Sequence, residues 1–432
     1  SPNRGSWKRR SGRTWGGLVM SFEGWKEVEL TEVIEFNPKE SLRKGMLAKK
    51  VSMADLKPFT RKIQGYSHEK YSSGSKFRNG DTLLSRITPC LENGKTAYVD
   101  ILQENEVAFG STEFIVLRGR EGKADKKFVY YLTISPNFRD IAIKSMTGTT
   151  GRQRAQVDVL ERARFLFPPI EEQRRIACVL SSIDEKIELN NRINKTLEEM
   201  AQAIFKSWFV DFEPFRDGEF VESELGMIPK GWEVKQLEEV VSLIIDHRGK
   251  TPKKLGGDWS SKGIPAISAK NIKENRLINK ERIKYVPIDI YKKWMKDELK
   301  AGDIILTSEG PLGEVYFLAS NEKYCLSQRL FALRANHEVI YPSVLFFTLR
   351  NPKTQEKISS RATGSTVLGI RQSELRKVKL LVPPIELQHK IGCVLDSLLT
   401  KVHLNEKENE ALMNLRDTLL PKLMSGEIRV PL

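Results

Sequence analysis

Two short runs carry Gly-Lys-Thr, Gly94-Lys95-Thr96 and Gly249-Lys250-Thr251, the residues that close a phosphate-binding loop. Such a loop needs another glycine five residues before the second one, so that backbone N–H groups can cradle phosphate. Those positions hold Pro89 and Ile244, and no Gly-x-Gly-x-x-Gly follows a strand pattern. His68, His247, His337, His389 and His403 are scattered, with neither His-Glu-x-x-His spacing nor cysteines placed for zinc. Glu121-Gly122-Lys123 matches the end of a metal-nuclease motif, but no Pro-Asp precedes it, and a solvated charged turn is the simpler reading. These residues predict a chain with no catalytic residue, no metal and no cofactor of its own.

What remains is the inventory of nucleic-acid recognition, basic and polar side chains in glycine-bearing loops. "GTTGRQRAQ" offers Arg152, Gln153, Arg154 and Gln156, and a matching stretch after "GSTVLGI" offers Arg371 and Gln372. "DHRGKTPKK" adds Arg248, Lys250, Lys253 and Lys254, and "FTRKIQGY" adds Arg61, Lys62 and Gln64. Arginine can pair with guanine and glutamine with adenine in the major groove, while lysine more often meets phosphate. Taken singly, each of these residues also reads as a solvated surface charge.

Composition agrees with a polyanionic partner. The 432 residues carry a net charge of +15, and about +10 remains without residues 1–19, which read as a tag or leader. No run approaches the roughly 20 apolar residues of a membrane span. An anionic membrane surface fits less well, because the chain's long helical stretches lack a basic polar face opposed to a broad apolar one. The cysteines Cys90, Cys178, Cys325 and Cys393 form no Cys-x-x-Cys pair, which predicts a reducing, cytoplasmic setting.

The elements that must position these loops come in two copies. "PPIEEQRRIACVL" from Pro168 returns as "PPIELQHKIGCVL" from Pro383. Upstream, Thr147-Gly148-Thr149-Thr150 matches Thr363-Gly364-Ser365-Thr366, "STEFIVLR" from Ser111 matches "SQRLFALR" from Ser327, and "YYLTISP" from Tyr130 matches "FFTLRNP" from Phe346. Gly80-Asp81 mirrors Gly302-Asp303, and Gly24-Trp25 mirrors Gly231-Trp232. Between these landmarks, residues 26–146 and 233–362 share little. A shared scaffold with unlike surfaces predicts two readers; alike helices predict one task done twice.

After each Pro-Pro, apolar residues recur at spacings of three and four, predicting a helix of roughly 60 Å. The first stripe holds Ile176, Leu180, Ile183, Ile187, Leu197, Met200 and Ile204; the second holds Ile391, Leu395, Leu398, Val402, Leu412, Leu415 and Leu419. So narrow a stripe needs a partner, and its twin supplies one, predicting an intramolecular antiparallel coiled coil. Asn190 and Asn194 interrupt one stripe where Asn405 and Asn409 interrupt the other. They either pin register within the seam or face solvent where the stripe drifts.

From about Trp25 onward the chain resembles type I restriction–modification specificity subunits. The resemblance is densest in "PPIEEQRRIACVLSSIDEKIELNNRINKTLEEMAQAIFKSWFVDFEPF", "LGMIPKGWEV" and "PPIELQHKIGCVLDSLLTKVHLNEKENEALMNLRDTLLPKLMSGEIRV". It implies an α+β protein with two mixed α/β target-recognition domains separated by two long antiparallel coiled-coil helices, a pseudo-two-fold duplication. The expected boundaries are 20–167 and 215–382 for the recognition domains and 168–214 and 383–432 for the helical spacers. It further implies a double-stranded DNA target read in two halves, two methyltransferase (M) subunits and restriction (R) subunits as partners. S-adenosylmethionine, ATP and magnesium would then sit on those partners. The alternatives are a stand-alone DNA methyltransferase or nuclease, and a sequence-neutral architectural binder. A methyltransferase of this kind carries Asn/Asp-Pro-Pro-aromatic, whereas the Pro-Pro pairs here follow Phe167 and Val382 and precede isoleucine.

Overall fold

The computed structural model describes residues 24–149, 151–364 and 366–430, together with the paired two-residue strands Thr14–Trp15 and Leu18–Val19. The rest of the 1–19 leader lies outside the described residues. Two compact units result, Ser1–Leu189 with Glu408–Leu432, and Asn190–Lys407. The division therefore runs through the two long helices, Ile170–Phe209 and Ile385–Met424, rather than at the Pro-Pro pairs expected to bound the domains. The cores explain why: each unit folds part of both helices into its own apolar interior.

In the first unit, strands Ile34–Phe36, Phe114–Gly119, Thr82–Ser85 and Thr96–Tyr98 form an antiparallel sheet in that order. The second unit repeats it with Val241–Asp246, Leu330–Ala335, Ile304–Ser308 and Leu312–Phe317. The Gly-Asp turns sit at the head of the third strand in each sheet. There Asp81 takes a two-pronged bond from Arg118 at 2.7 Å, and Asp303 takes one from Arg334 at 2.8 and 2.7 Å. Both carboxylates are fully buried, so this ion pair is a repeated internal fastening. The duplication also extends into sequence that shares little. A second sheet pairs Leu47–Val51 in parallel with Ala108–Gly110 in the first unit, and Ile264–Ile267 in parallel with Cys325–Leu326 in the second.

Each strand leading to a Pro-Pro pairs with the strand after its Gly-Trp: Arg164–Phe167 with Lys26–Glu29, and Lys379–Val382 with Glu233–Gln236. Gly24 stands at φ +83, and a Cβ there would lie 3.2 Å from the ring of Pro169, so a side chain would meet both strain and crowding.

The helices start at Pro-Pro because proline suits the first turn, where the backbone N–H has no partner to lose. In the first unit Ile176 and Leu180 share a core with Leu420 and Leu423, Asp184 binds Arg416 at 2.8 Å, and Lys186 faces Glu408. In the second, Ala201, Phe205 and Phe209 share a core with Ile391, Leu395 and Leu399, and Asn405 donates to Asn194 at 2.8 Å. In each unit one helix descends in number as the other rises, so the pairing is antiparallel. Asn190, Asn194, Asn405 and Asn409 are all buried; they belong to the seam and not to solvent.

Ile176, Leu180, Ile183, Ile391, Leu395 and Val402 are buried as the stripe predicts, and Ile187, Leu197, Ile204, Leu398, Leu412 and Leu419 are half-buried. Met200 and Leu415 depart from expectation, each 48% exposed. After Leu197 and Leu412 the inward position comes four residues on, not three, so Ala201 and Arg416 take the seam instead. The distal helix also runs through Pro421 in its last turn.

Candidate nucleic-acid interface

Each Gly-Ser/Thr loop is a hairpin whose stem is fixed by backbone bonds. Thr147 and Arg154 exchange N–H···O bonds of 3.1 and 2.9 Å; Thr363 and Gly369 do so at 2.9 Å both ways. The stems then dock on the end of the Gly-Asp strand. Ala155 donates to the Arg86 carbonyl (2.8 Å), which sits on the residue whose own N–H binds the Glu113 carbonyl (2.9 Å). In the second unit, Ile370 donates to Ser308 and Ser308 to Arg329, each at 2.9 Å. The same backbone junction is thus built twice.

Its side chains differ. In the first unit Glu113 receives a bidentate guanidinium from Arg154, 2.7–3.0 Å away. That pairing holds the Glu113 carboxyl below its ordinary range and raises Arg154. In the second unit the position of Glu113 is filled by Arg329, which pairs at 2.8 Å with Glu309. The sign at that position is reversed. The signal was in the matched runs "STEFIVLR" and "SQRLFALR", whose third residues are glutamate and arginine.

The predicted residues fall into three groups. Arg152, Lys253 and Arg371 are exposed, with Gln153 and Gln372 half-buried beside two of them. Others are tied down locally: Gln156 donates to Thr147 and to the Arg154 carbonyl, Lys250 to the Trp294 carbonyl at 2.9 Å, Lys254 to the Gly249 carbonyl at 2.8 Å, and Gln64 to the Lys62 carbonyl. Arg248 binds Asp246 through two nitrogens and lies 4.4 Å from the centre of the Phe331 ring, while Lys62 faces Asp100 at 3.3 Å.

Arg61 forms the third group alone. It is buried, and both its Nε and Nη2 bind Glu188 on the central helix, at 2.9 and 2.8 Å. Burial alone would lower its pKa, yet the bond and charge of Glu188 raise it. It fastens the first reader to its helix. Sequence alone shows a basic residue in a loop and not the acid 127 positions away that claims it.

Among the described residues, no cluster of His, Cys, Asp and Glu could hold a metal, and no helix is long and apolar enough to cross a membrane.

Comparison with known proteins agrees with the geometry. The family described as "Type I restriction modification DNA specificity domain" matches residues 22–199 and again 229–414. The specificity subunit of the type I restriction enzyme MjaIX of Methanocaldococcus jannaschii is 28% identical over 312 residues, 70% of this chain and 69% of that protein. The HindI specificity subunit of Haemophilus influenzae is 26% identical over 413 residues, covering 81% and 87%. Among solved structures, the type I restriction–modification S subunit of M. genitalium superposes with a TM-score of 0.59 at 17% identity, over 92% of this chain and 96% of that one. This last likeness speaks for the fold.

Proposed function

Since this chain belongs to the type I restriction–modification DNA specificity family, with two recognition domains, we propose that it reads a bipartite duplex target, one half with each domain. The helix pair acts as the spacer that sets the unread gap. The chain is the non-catalytic recognition subunit; methylation and cleavage belong to M and R subunits that dock on it and hold S-adenosylmethionine, ATP and magnesium. The observation that carries this reading is the hairpin junction, whose backbone is the same in both units while its charges are reversed. One scaffold fitted with two faces suits two unlike half-sites.

Mapping methylated adenines in DNA from a host carrying the intact system tests it. A split motif with a fixed gap is expected, and a single uninterrupted motif would overturn the bipartite reading. The purified chain given S-adenosylmethionine, ATP and magnesium should neither methylate nor cut. Turnover that survives removal of partner subunits would restore the alternative of a stand-alone enzyme.

A further inference from the structure

We propose that the second unit reads its half-site through apolar contact with thymine 5-methyl groups, made by Val367 and Leu368 at the tip of the hairpin Thr363–Gly369. This rests on the bipartite reading above and deepens it.

Val367 is 48% exposed and Leu368 51% exposed, side by side on one loop. Single exposed apolar residues are ordinary, but here two consecutive ones occupy the tip of a hairpin held by a fixed stem. That stem gives them a defined direction: Thr363 and Gly369 close the loop, and a Cβ on Gly364 (φ +131) would lie 2.1 Å from the Val367 carbonyl oxygen.

Counted back from Ala155 and Ile370, which dock alike, the matching loop positions of the first unit carry Arg152 and Gln153, hydrogen-bonding side chains beside an equivalent stem. This difference identifies the partner class. A protein that docked alike on both units would need alike surfaces at equivalent places, and the stems are alike while the tips are not. What differs between two halves of a split target is the base sequence. In the major groove, hydrogen-bonding side chains read base edges, whereas apolar ones read the thymine methyl. Val367 also stands beside the Arg329–Glu309 ion pair. A Cβ on Gly310 would be 3.1 Å from Arg329 Nη1 and 3.8 Å from Val367 Cγ1, so methyl and guanidinium flank one glycine.

The test uses the full chain in complex with its methyltransferase subunits, and a target selected from randomised duplexes. Each thymine of the second half-site is then replaced by deoxyuridine, which removes only the methyl. Binding should weaken about fourfold for each contacted methyl. The V367A/L368A variant should bind thymine and deoxyuridine duplexes equally while keeping its preference at the first half-site, which shows that it is folded. A second half-site without thymine, indifference of the parent protein to every methyl, or undiminished methyl sensitivity in the variant would overturn the proposal. So would loss of methyltransferase assembly with methyl sensitivity intact, which would assign the tip to protein docking. Absence of sequence preference at both half-sites would instead bring down the bipartite reading itself.

Discussion

The first unit closes its helix pair with polar bonds, and the second closes its own with apolar packing at the matching positions. In the first, buried Asp184 binds Arg416 at 2.8 Å and takes the Tyr131 hydroxyl at 2.7 Å. The counterparts are Leu399, Ala201 and Phe347, all in one apolar cluster, with Phe347 stacked on Phe205. The fastening of reader to helix differs as well. In the first unit Arg61 of the reader binds Glu188 on the helix; in the second, Arg276 of the reader pairs with Glu198 and Glu406 on the helices, and Glu322 of the reader pairs with Lys407. Duplication preserved the backbone but not the chemistry of these contacts. Each unit is consistent within itself, and exchanging parts would leave charges without partners.

Breaking the polar set should have the largest effect. Arg416→Ala strands a buried carboxylate and should cost about 3–5 kcal/mol, read as a lowered urea midpoint. Tyr131→Phe with Asp184→Leu and Arg416→Ala installs the second unit's solution and should recover most of that loss. A small effect of Arg416→Ala alone would show that Asp184 is not burdened by burial.

The next test asks whether the halves are interchangeable. A fragment of residues 20–220 should pair its central helix with a second copy, giving a symmetric dimer. In that dimer Asp184 would face Ala201 rather than Arg416, so association should be weak. Asp184→Leu should strengthen it on the order of a hundredfold by sedimentation. Equal dimerisation of the two fragments would mean that the polar set does not enforce partner choice.

Smaller differences separate the two fastenings. A double-mutant cycle on Arg61 and Glu188, mostly buried, should give a coupling of about 1.5–3 kcal/mol. The same cycle on Lys407 and Glu322, with the lysine half exposed, should give about 1 kcal/mol or less. Reversed magnitudes would sink the claim that burial sets the strength of these pairs.

Finally, Arg152→Ala should cost about 1–3 kcal/mol at the first half-site, leave the second unchanged and scarcely alter unfolding. A uniform loss on all DNA with a shallower salt slope would assign Arg152 to phosphate.

The duplication and the helix pair were legible in sequence because they rest on spacing: Pro-Pro starts, a stripe of period near 3.6, and asparagines at matched places. The direction followed from the long domain that joins the helices and the two-fold a duplication produces. The hairpin stems were legible as Gly-Ser/Thr loops. The seam's charged members were not. Arg416 and Asp184 sit among lysines and glutamates on helices where charge ordinarily marks the solvent face. What brings each inward is the other, 232 residues away. The stripe also drifts, since a helix of 3.6 residues per turn shifts its inward face between heptads, so Met200 and Leu415 read as seam when Ala201 and Arg416 are. Arg61 was hidden for the same reason as Arg416: a buried cation is found through its acid, and the acid is on another element.

The first unit is assembled from residues before 189 and after 408, and this sets an order of events during synthesis. Ile176 and Leu180 leave the ribosome about 240 residues ahead of Leu420 and Leu423, the side chains that share their core. The second unit, one continuous stretch, has all its parts as soon as Lys407 emerges. The reader translated first is thus the one completed last. Among these late contacts, Arg429 binds Glu172 and lies over the ring of Trp25, just ahead of the strand Lys26–Glu29. A chain interrupted just before residue 408 would keep its second unit whole and lose the seal of its first.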